Sequence, residues 1–234
     1  MTFGGLRFEK EDLMKKLLTA CVAAELRLSL AACGKTDTDT ITDSKADKPA
    51  AETAGVGTHH AEIDIQDYGT ITVELDGDIA PITVQNFMDL ANDGFYDGLT
   101  FHRIISGFMM QGGDPNGNGT GGSENTIKGE FSSNGVENTL SHTRGAISMA
   151  RSQNPDSASS QFFICHADST FLDGQYACFG YVTDGMDVVD RIANQPRNMM
   201  TNKPKKDQVM AKVTVDTQGV TYPEPEKLAD PVRR

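Results

Sequence analysis

Short apolar runs separated by turn residues are the feature that most constrains the fold of this 234-residue chain. Apolar residues alternate with polar ones over residues 61–65 and 69–75, which is the period of half-buried β-strands. Further strand-like runs lie between Gly, Asn, Asp and Ser residues at 100–105, 109–112, 146–149, 162–165, 177–182 and 212–215. Many short strands with turn residues between them are typical of a β-barrel or a β-sandwich.

Two segments have helical spacing instead. Pro81 opens a segment, 81–92, whose apolar residues recur at intervals of three and four, and Gly94 follows as a stop signal. Residues 184–193 place their apolar residues on one face in the same way. The sequence therefore predicts two amphipathic helices beside the sheet.

Length and charge limit the class of protein. The chain has room for one domain of ordinary size with extra segments at its ends, and we expect the domain at 59–222. The formal net charge of −12 argues against nucleic acid as a partner, because binding a phosphate backbone needs clustered Lys and Arg. Residues 223–234 are interrupted by proline and are expected to form an irregular tail.

The N-terminal segment has the layout of a secretory signal. Within 14–33, two lysines precede a mostly apolar stretch that ends in small residues before Cys33. Its end, Leu-Ala-Ala-Cys, resembles the bacterial lipobox, which implies removal of residues 1–32 and a lipid on Cys33 that holds the protein at an extracytoplasmic membrane surface. Glu25 and Arg27 interrupt the apolar stretch, so an amphipathic helix or a disordered leader is the alternative.

Two further expectations concern this end of the chain. Residues 1–13 fit no signal, and Lys10-Glu11-Asp12 can be encoded by a purine run of the kind that bacterial ribosomes pair with, so we expect translation to start at Met14. Residues 33–58 are rich in Thr, Asp, Lys and Ala with few apolar residues, and such a segment is expected to be a disordered tether.

Four motifs within the predicted domain point to one family. They are FHRIISGFMMQGGD at 101–114, RGAISMAR at 144–151, SSQFFIC at 159–165 and FLDGQYACFG at 171–180. Their order and spacing resemble those of cyclophilin-type peptidyl-prolyl cis-trans isomerases of bacteria, over roughly residues 61–218. The resemblance implies a mainly β fold, a closed eight-stranded antiparallel β-barrel capped by two α-helices, with the active site on the outer face of the barrel.

The implied reaction sets a specific chemical task. Amide resonance imposes a rotation barrier of about 18–20 kcal/mol, and no bond is broken when an X–Pro peptide isomerises. The catalyst must favour the twisted amide, in which the proline nitrogen regains its lone pair. Arg103 suits this task, because a permanently charged guanidinium can donate to that nitrogen or to the proline carbonyl. From the residues alone, a surface arginine paired with a carboxylate is the alternative; the resemblance places Arg103 at the catalytic arginine of the family.

The resemblance also implies the substrate pocket. Phe108, Met109, Phe162 and Leu172 correspond to the apolar pocket that holds the proline ring, and Gln111 to the glutamine that orients the substrate backbone. The remaining substrate-binding residues that it implies are His102, Ala150, Arg151, Gln161, Phe171 and Tyr176. Gln161 could equally bond neighbouring loops. His102 is expected to have a structural or positioning role, because isomerisation transfers no obligatory proton.

Three of these positions differ from the best-known eukaryotic cyclophilins. Phe171 stands in place of a tryptophan, Tyr176 in place of a histidine and Arg151 in place of an asparagine. All three resemble bacterial members of the family, so we expect activity to be retained. Cyclosporin binding should be weaker, because Phe171 lacks the indole N–H that donates to the drug in the family.

Other candidate sites are set aside. His59 and His60 lack ligands at metal-binding spacing, and we expect no metal and no cofactor. Residues 117–122 match G-x-G-x-x-G, but they lack the strand and helix that a dinucleotide site requires, so we expect a mobile loop over the substrate cleft. Cys165 and Cys178 are interpreted as buried thiols, with a disulfide as the alternative, because sequence alone does not fix their separation.

The expected partners are proline-containing peptides and unfolded exported proteins, bound by a monomer. A module that binds proline-containing peptides without a catalytic purpose is the alternative function, although such a module would have no need of Arg103. A hydrolase is a third possibility, because Ser, His and Asp occur in the domain. The sequence lacks the G-x-S-x-G motif that surrounds a nucleophilic serine in many hydrolases.

Overall fold

The computed structural model of the protein describes residues 57–217 and 227–229. The predicted signal segment, Cys33, nearly all of the tether and most of the tail lie outside the described residues. No helix within the described residues is long and apolar enough to cross a membrane.

Ten strands and two α-helices make up the described structure. The strands are β1 (Thr58–Ile65), β2 (Gly69–Asp76), β3 (Arg103–Ile105), β4 (Met109–Gly112), β5 (Asn125–Ile127), β6 (Ala146–Met149), β7 (Phe162–Cys165), β8 (Cys178–Asp184), β9 (Met210–Asp216) and β10 (Lys227–Ala229). The helices are α1 (Pro81–Asn92) and α2 (Met186–Ala193). A 3-10 turn at Thr170–Leu172 follows β7.

Eight strands form one antiparallel sheet in the order β3-β4-β7-β6-β8-β2-β1-β9. The edges of this sheet meet through an isolated bridge between Thr100 and Val209. Beside the bridge, Phe101 N donates to Gln208 O at 2.9 Å and Met210 N donates to Leu99 O at 2.8 Å. The predicted eight-stranded antiparallel sheet is confirmed. Its two edges are joined by these few bonds rather than by a continuous ladder between β3 and β9.

Alternation decides which side chains enter the core. Ile63 and Ile65 of β1 and Ile71, Val73 and Leu75 of β2 are fully buried, as the period-two pattern predicts.

Two elements begin later than the sequence predicts. Strand β3 begins at Arg103 rather than at residue 100, because the preceding residues bond to the segment before β9. Helix α2 likewise begins at Met186 rather than at Asp184, since Gly185 has a φ of 86° and breaks the helical path.

Helix α1 covers the predicted residues and receives its N-terminal cap from a distant loop. Ala80 at the N-cap has no side-chain oxygen, so Glu130 accepts from Ile82 N at 3.0 Å and from Thr83 N at 2.8 Å. This carboxylate lies at the positive end of the helix dipole. Burial raises the pKa of Glu130, while its hydrogen bonds to the helix N-terminus oppose that rise.

The centre of the core is aromatic. Phe162 lies 5.5 Å from Phe87, 5.5 Å from Tyr96 and 5.9 Å from Phe101, measured between ring centroids, with each pair edge to face. The prediction that Phe162 lines the substrate pocket was therefore wrong. Its side of β7 faces the interior of the curled sheet, where the ring is fully buried.

Three residues of the segment predicted as an irregular tail form a strand. Lys227, Leu228 and Ala229 pair with Ile127, Thr126 and Asn125 of β5 in an antiparallel register. Ile127 also donates from its backbone N to Ala158 O at 2.8 Å. The small sheet of β5 and β10 therefore lies directly beside the loop that contains Ala158.

Candidate active site

A pocket of about 240 Å³ with both apolar and charged side chains in its lining lies on the outer side of the sheet. Eight of the predicted site residues line it, namely Arg103, Phe108, Met109, Gln111, Ala150, Arg151, Leu172 and Tyr176, and Phe163 joins them. Strand pairing explains part of this assembly, because Arg103 lies directly opposite Gln111 in the β3–β4 ladder. Opposite residues on neighbouring strands point to the same face, so both side chains reach the pocket.

The guanidinium of Arg103 is held at the edge of this pocket. Its Nη1 donates to Gln111 Oε1 at 3.1 Å and lies 3.8 Å from the Met109 sulfur. Partial burial lowers the pKa of Arg103, and the nearby Tyr176 opposes that shift. A guanidinium nevertheless stays charged in proteins. The pocket thus carries the fixed positive charges of Arg103 and Arg151 beside its apolar side chains.

A chain of amide side chains extends from Arg103 to a glycine-rich loop. Gln111 Nε2 donates to Gln161 Oε1 at 2.9 Å, and Gln161 Nε2 donates to Gly121 O at 2.7 Å and to Gly119 O at 3.2 Å. Gln161 therefore bonds the neighbouring loop, the alternative that the sequence left open. The same bonds also fix the orientation of Gln111, and through it that of Arg103.

Phe163 is the pocket residue that sequence reasoning missed. It lies opposite Gln111 in the β4–β7 ladder, whereas Phe162 lies opposite Gly112. Its ring is edge to face with Tyr176 at 6.0 Å and stacked on His142 at 6.0 Å. The register of β7 against β4 is the signal that identifies it, because Phe163 shares the face of Gln111.

Phe171 and Arg151 border the pocket in different ways. Phe171 is 67% exposed and packs on Phe108 with ring centroids 5.7 Å apart, at the rim rather than in the lining. Arg151 is held more firmly, because its guanidinium carbon lies 4.7 Å from the centre of the Tyr176 ring and its Nη2 donates to Gln175 O at 2.8 Å. Arg151 therefore fixes Tyr176 as one wall.

His102 lies behind the pocket and does not line it. Its side chain is buried, and burial lowers the pKa of its imidazole while the carboxylate of Asp114 opposes that shift. Asp114 accepts hydrogen bonds from the backbone N of Asn116, Asn118 and Gly119. Asp114 therefore supports the glycine-rich loop, and His102 is buried near this carboxylate rather than in the pocket lining.

The same bonds bear on the G-x-G-x-x-G match at 117–122. In a dinucleotide site, backbone N–H groups of such a loop would face a phosphate. Here the carboxylate of Asp114 accepts from the N–H groups of Asn118 and Gly119. The loop is thus built around a negative charge of the protein itself, which opposes phosphate binding.

A second cavity of about 380 Å³, the polar cavity, is lined mostly by glycine and polar residues and adjoins this pocket. It is bounded by the glycine-rich residues 119–123 and by side chains of the loop before β7, including Ser157 and Ser159. Gln111, Ala150 and Arg151 line both cavities. A peptide that enters one cavity can therefore continue into the other.

Ser148, His142 and Asp173 form a hydrogen-bonded chain beneath the pocket. Asp173 Oδ1 lies 2.7 Å from His142 Nδ1, and His142 Nε2 lies 2.9 Å from Ser148 Oγ. The order of groups is that of a hydrolase triad, but Ser148 is fully buried and no substrate carbonyl can reach its hydroxyl. The chain instead ties the 3-10 turn with Leu172 to the strand that faces Phe163, which argues against the hydrolase interpretation.

The remaining candidate ligands are kept apart by the fold. Cys165 and Cys178 are free and buried. Strand β6 lies between their two strands, which sets those strands about 9–10 Å apart, beyond the Cα separation that a disulfide spans. Burial raises the pKa of both thiols to about 12.

His59 is buried and His60 exposed on opposite faces of β1, so they cannot bind one ion together. The described residues contain no cluster of three acidic, His or Cys side chains suited to a metal.

Comparison with known proteins identifies the family. The family model for cyclophilin-type peptidyl-prolyl cis-trans isomerases matches residues 60–215, and the chain belongs to this family. It is 45% identical over 150 residues to a peptidyl-prolyl cis-trans isomerase of Acinetobacter baylyi, across 59% of this chain and 76% of the relative. It is 47% identical over 130 residues to peptidyl-prolyl cis-trans isomerase B of Bacillus subtilis, across 56% of this chain and 87% of the relative.

A solved structure agrees with these relatives. A cyclophilin-type isomerase of Cryptosporidium parvum, crystallised in the presence of the dipeptide Ala-Pro, superimposes with a TM-score of 0.62 at 31% identity, covering 67% of this chain and 98% of the other. The protein is thus a peptidyl-prolyl cis-trans isomerase.

Proposed function

We propose that this isomerase accelerates the folding of exported proteins at a membrane surface, and that Arg103 is its catalytic residue. The half-buried guanidinium of Arg103 beside the apolar side chains of the pocket is the observation that carries the catalytic part. Members of this family bind proline-containing peptides, and the pocket offers a proline ring walls of Phe108, Met109, Phe163 and Leu172. These walls exclude water from one side of the bound ring.

Catalysis follows from the difference between planar and twisted amides. In the planar states the proline nitrogen lends its lone pair to the carbonyl and accepts no hydrogen bond. As the bond twists, the lone pair returns, and an N–H of Arg103 can then donate to it. One of the five N–H donors of the guanidinium is directed to Gln111, which aims the others. An interaction formed only in the twisted state lowers the barrier.

Replacing Arg103 tests this role. We expect Arg103→Ala to lower kcat/KM for an X–Pro peptide by about 10²–10³-fold, as the removal of one aimed donor does elsewhere. NMR exchange spectroscopy measures the rate, and a titration of the same peptide measures binding. Arg103→Lys serves as the control that keeps the charge without the planar donor array. Equal rates for wild type and Arg103→Ala would overturn the catalytic role and favour a module that only binds.

The cellular part of the proposal depends on the sequence at 14–33. Its basic start, apolar stretch and Cys33 support export and lipid attachment, and the expected tether at 33–58, rich in Thr, Asp, Lys and Ala, is long enough to separate the domain from a membrane surface. Uncatalysed X–Pro isomerisation takes tens of seconds, slow enough to limit the folding of a newly exported chain. Metabolic labelling with a fatty acid should mark the wild type and spare Cys33→Ser. Label that persists in the variant would exclude Cys33 as the anchor.

The same proposal includes a weakened response to cyclosporin. Phe171 stands at the rim of the pocket without an N–H donor. Titration calorimetry should show tighter cyclosporin binding for Phe171→Trp than for the wild type. Equal affinities would show that this position does not control the drug.

A further inference from the structure

The turn between β3 and β4 sets the position of one wall of the pocket. Phe108 N donates to Ile105 O at 3.0 Å, and Gly107 at the third position of the turn has a φ of 79°. This left-handed conformation favours glycine. The turn ends in Phe108, whose ring faces the pocket, so any displacement of the turn moves that wall.

His166, the residue after β7, holds this turn from behind. Gly107 N donates to His166 Nδ1 at 2.9 Å, and His166 N donates to Phe108 O at 2.9 Å. The ring and the backbone of one residue therefore hold both ends of the Gly107–Phe108 unit. Ser106 Oγ adds a bond of 2.6 Å to Asn194 Oδ1 after helix α2.

These contacts define the protonation state of the imidazole. A backbone N–H can only donate, so His166 Nδ1 must be unprotonated to accept from Gly107. The proton of the neutral ring is then on Nε2, which lies 3.2 Å from Asp190 Oδ1 of helix α2. Arg144 completes the surroundings, with its Nη2 2.8 Å from Asp190 Oδ1 and its Nη1 donating to His166 O at 2.6 Å. Asp168 accepts from Arg144 N at 2.8 Å in the same loop.

We propose that His166 is a positioning residue, which holds the Phe108 wall against the proline ring only while its imidazole is neutral. Protonation would place a hydrogen on Nδ1 directly opposite the N–H of Gly107. Two donors then face each other, so the bond is lost and the turn is pushed away from β7. Activity would fall in acid although neither Arg103 nor the ring of Phe108 changes its chemistry. The inference rests on the proposed role of this pocket in binding the proline ring.

The experiment compares the full-chain wild type with His166→Asn and His166→Ala. Asparagine keeps an oxygen acceptor near the place of Nδ1 but does not titrate. The value of kcat/KM is measured at intervals between about pH 8 and about pH 5. We expect the wild type to lose about fivefold in acid, the rate equivalent of one net hydrogen bond. His166→Asn should lose much less, and His166→Ala should be impaired throughout the range.

A second readout reports the bond directly. The amide signal of Gly107 in an NMR spectrum should move with pH in the wild type and stay in place in His166→Asn. Because His102 and His142 are present in all three proteins, their titration contributes equally and cancels in the comparison. Thermal denaturation separates a folding defect of His166→Ala from a loss of positioning. If His166→Ala does not fold, the comparison of the pH profiles of the wild type and His166→Asn still tests the inference.

Two results would overturn the inference. The first is an identical pH profile for wild type and His166→Asn, with a Gly107 signal that does not titrate in the wild type. The second is full neutral-pH activity of a folded His166→Ala. Failure of the Arg103 role is distinguishable, because it would leave Arg103→Ala active at every pH, whereas failure of this inference would appear only in the two His166 variants and in the Gly107 signal.

Discussion

Phe162 and Phe163 are neighbours in sequence, have the same side chain and are both buried, yet they serve opposite sides of one sheet. Phe162 lies in the aromatic centre of the core. Phe163 belongs to a smaller outer cluster with Met109, Cys165 and Cys178, which forms the floor beneath the pocket. Burial alone therefore does not separate residues that hold this fold together from residues that face substrate. The register of β7 against β4 separates them, because it shows which face of the sheet each side chain occupies.

Truncating the inner residue should have the largest effect of the changes that test this contrast. Phe162→Ala removes a ring with three edge-to-face partners, and we expect the free energy of unfolding to fall by about 3–5 kcal/mol. Chemical denaturation measures this loss. Per folded molecule, kcat/KM should stay close to the wild-type value. A variant of normal stability and low activity would break the contrast.

Truncating the outer residue should reverse the pattern. Phe163→Ala opens the floor of the pocket, and we expect kcat/KM to fall by about tenfold, equivalent to about 1.4 kcal/mol. The loss of stability should be smaller than for Phe162→Ala. Phe163→Leu is the matched control, which keeps an apolar floor and should recover part of the rate. If denaturation showed the larger loss for Phe163→Ala, Phe163 would have to be counted as core.

The outer side should also respond to acid, through His142 behind Phe163. Burial lowers the pKa of His142, with Asp173 opposing the shift, so the unfolded chain takes up a proton before the folded one does. The stability from this group is complete above the ordinary histidine pKa of about 6.5 and is lost as pH falls through it and on to the lower folded pKa. The slope is at most about 1.4 kcal/mol per pH unit for one proton.

His142→Asn should flatten this slope in denaturant titrations repeated at several pH values. The shift of His102 has the same direction, so part of the slope should remain. An unchanged slope in His142→Asn would show that His142 does not contribute to the acid sensitivity of the stability.

The two cysteines of the outer cluster should give the smallest effect. Burial and the raised pKa of both thiols, to about 12, make them poor nucleophiles at neutral pH. We expect iodoacetamide to leave Cys165 and Cys178 unmodified in the folded protein and to label them after denaturation, as peptide mass mapping would show. A peptide pair linked through these residues after mild oxidation would contradict the spacing imposed by β6.

Local patterns predicted the elements whose signals are local. The alternation in β1 and β2 and the helical period of 81–92 identified the elements correctly. Strand β7 reads as four apolar residues without alternation, so its inward and outward sides could not be told apart before its pairing with β4 was known. The misplacement of Phe162 follows from that ambiguity.

Contacts between distant residues were beyond the reach of these patterns. Glu130 caps a helix that begins 49 positions earlier at Pro81, and His166 holds a turn at Gly107, 59 positions away. Strands β5 and β10 have three residues each, too few for a period to show. The site roles of Arg103, Gln111 and their neighbours could be predicted because their motifs resemble those of a family. The sequence alone did not show which side chains surround them.

The pairing of β10 with β5 has a consequence for where this protein can be divided. The family model ends at residue 215, but Lys227–Ala229 covers the open edge of β5 next to Thr126, which lines the polar cavity. A fragment cut at the family boundary would expose that edge, and unpaired strand edges recruit extended chains. Such a fragment would expose an unpaired strand edge beside its cleft and would be prone to self-association, whereas the whole chain keeps that edge paired.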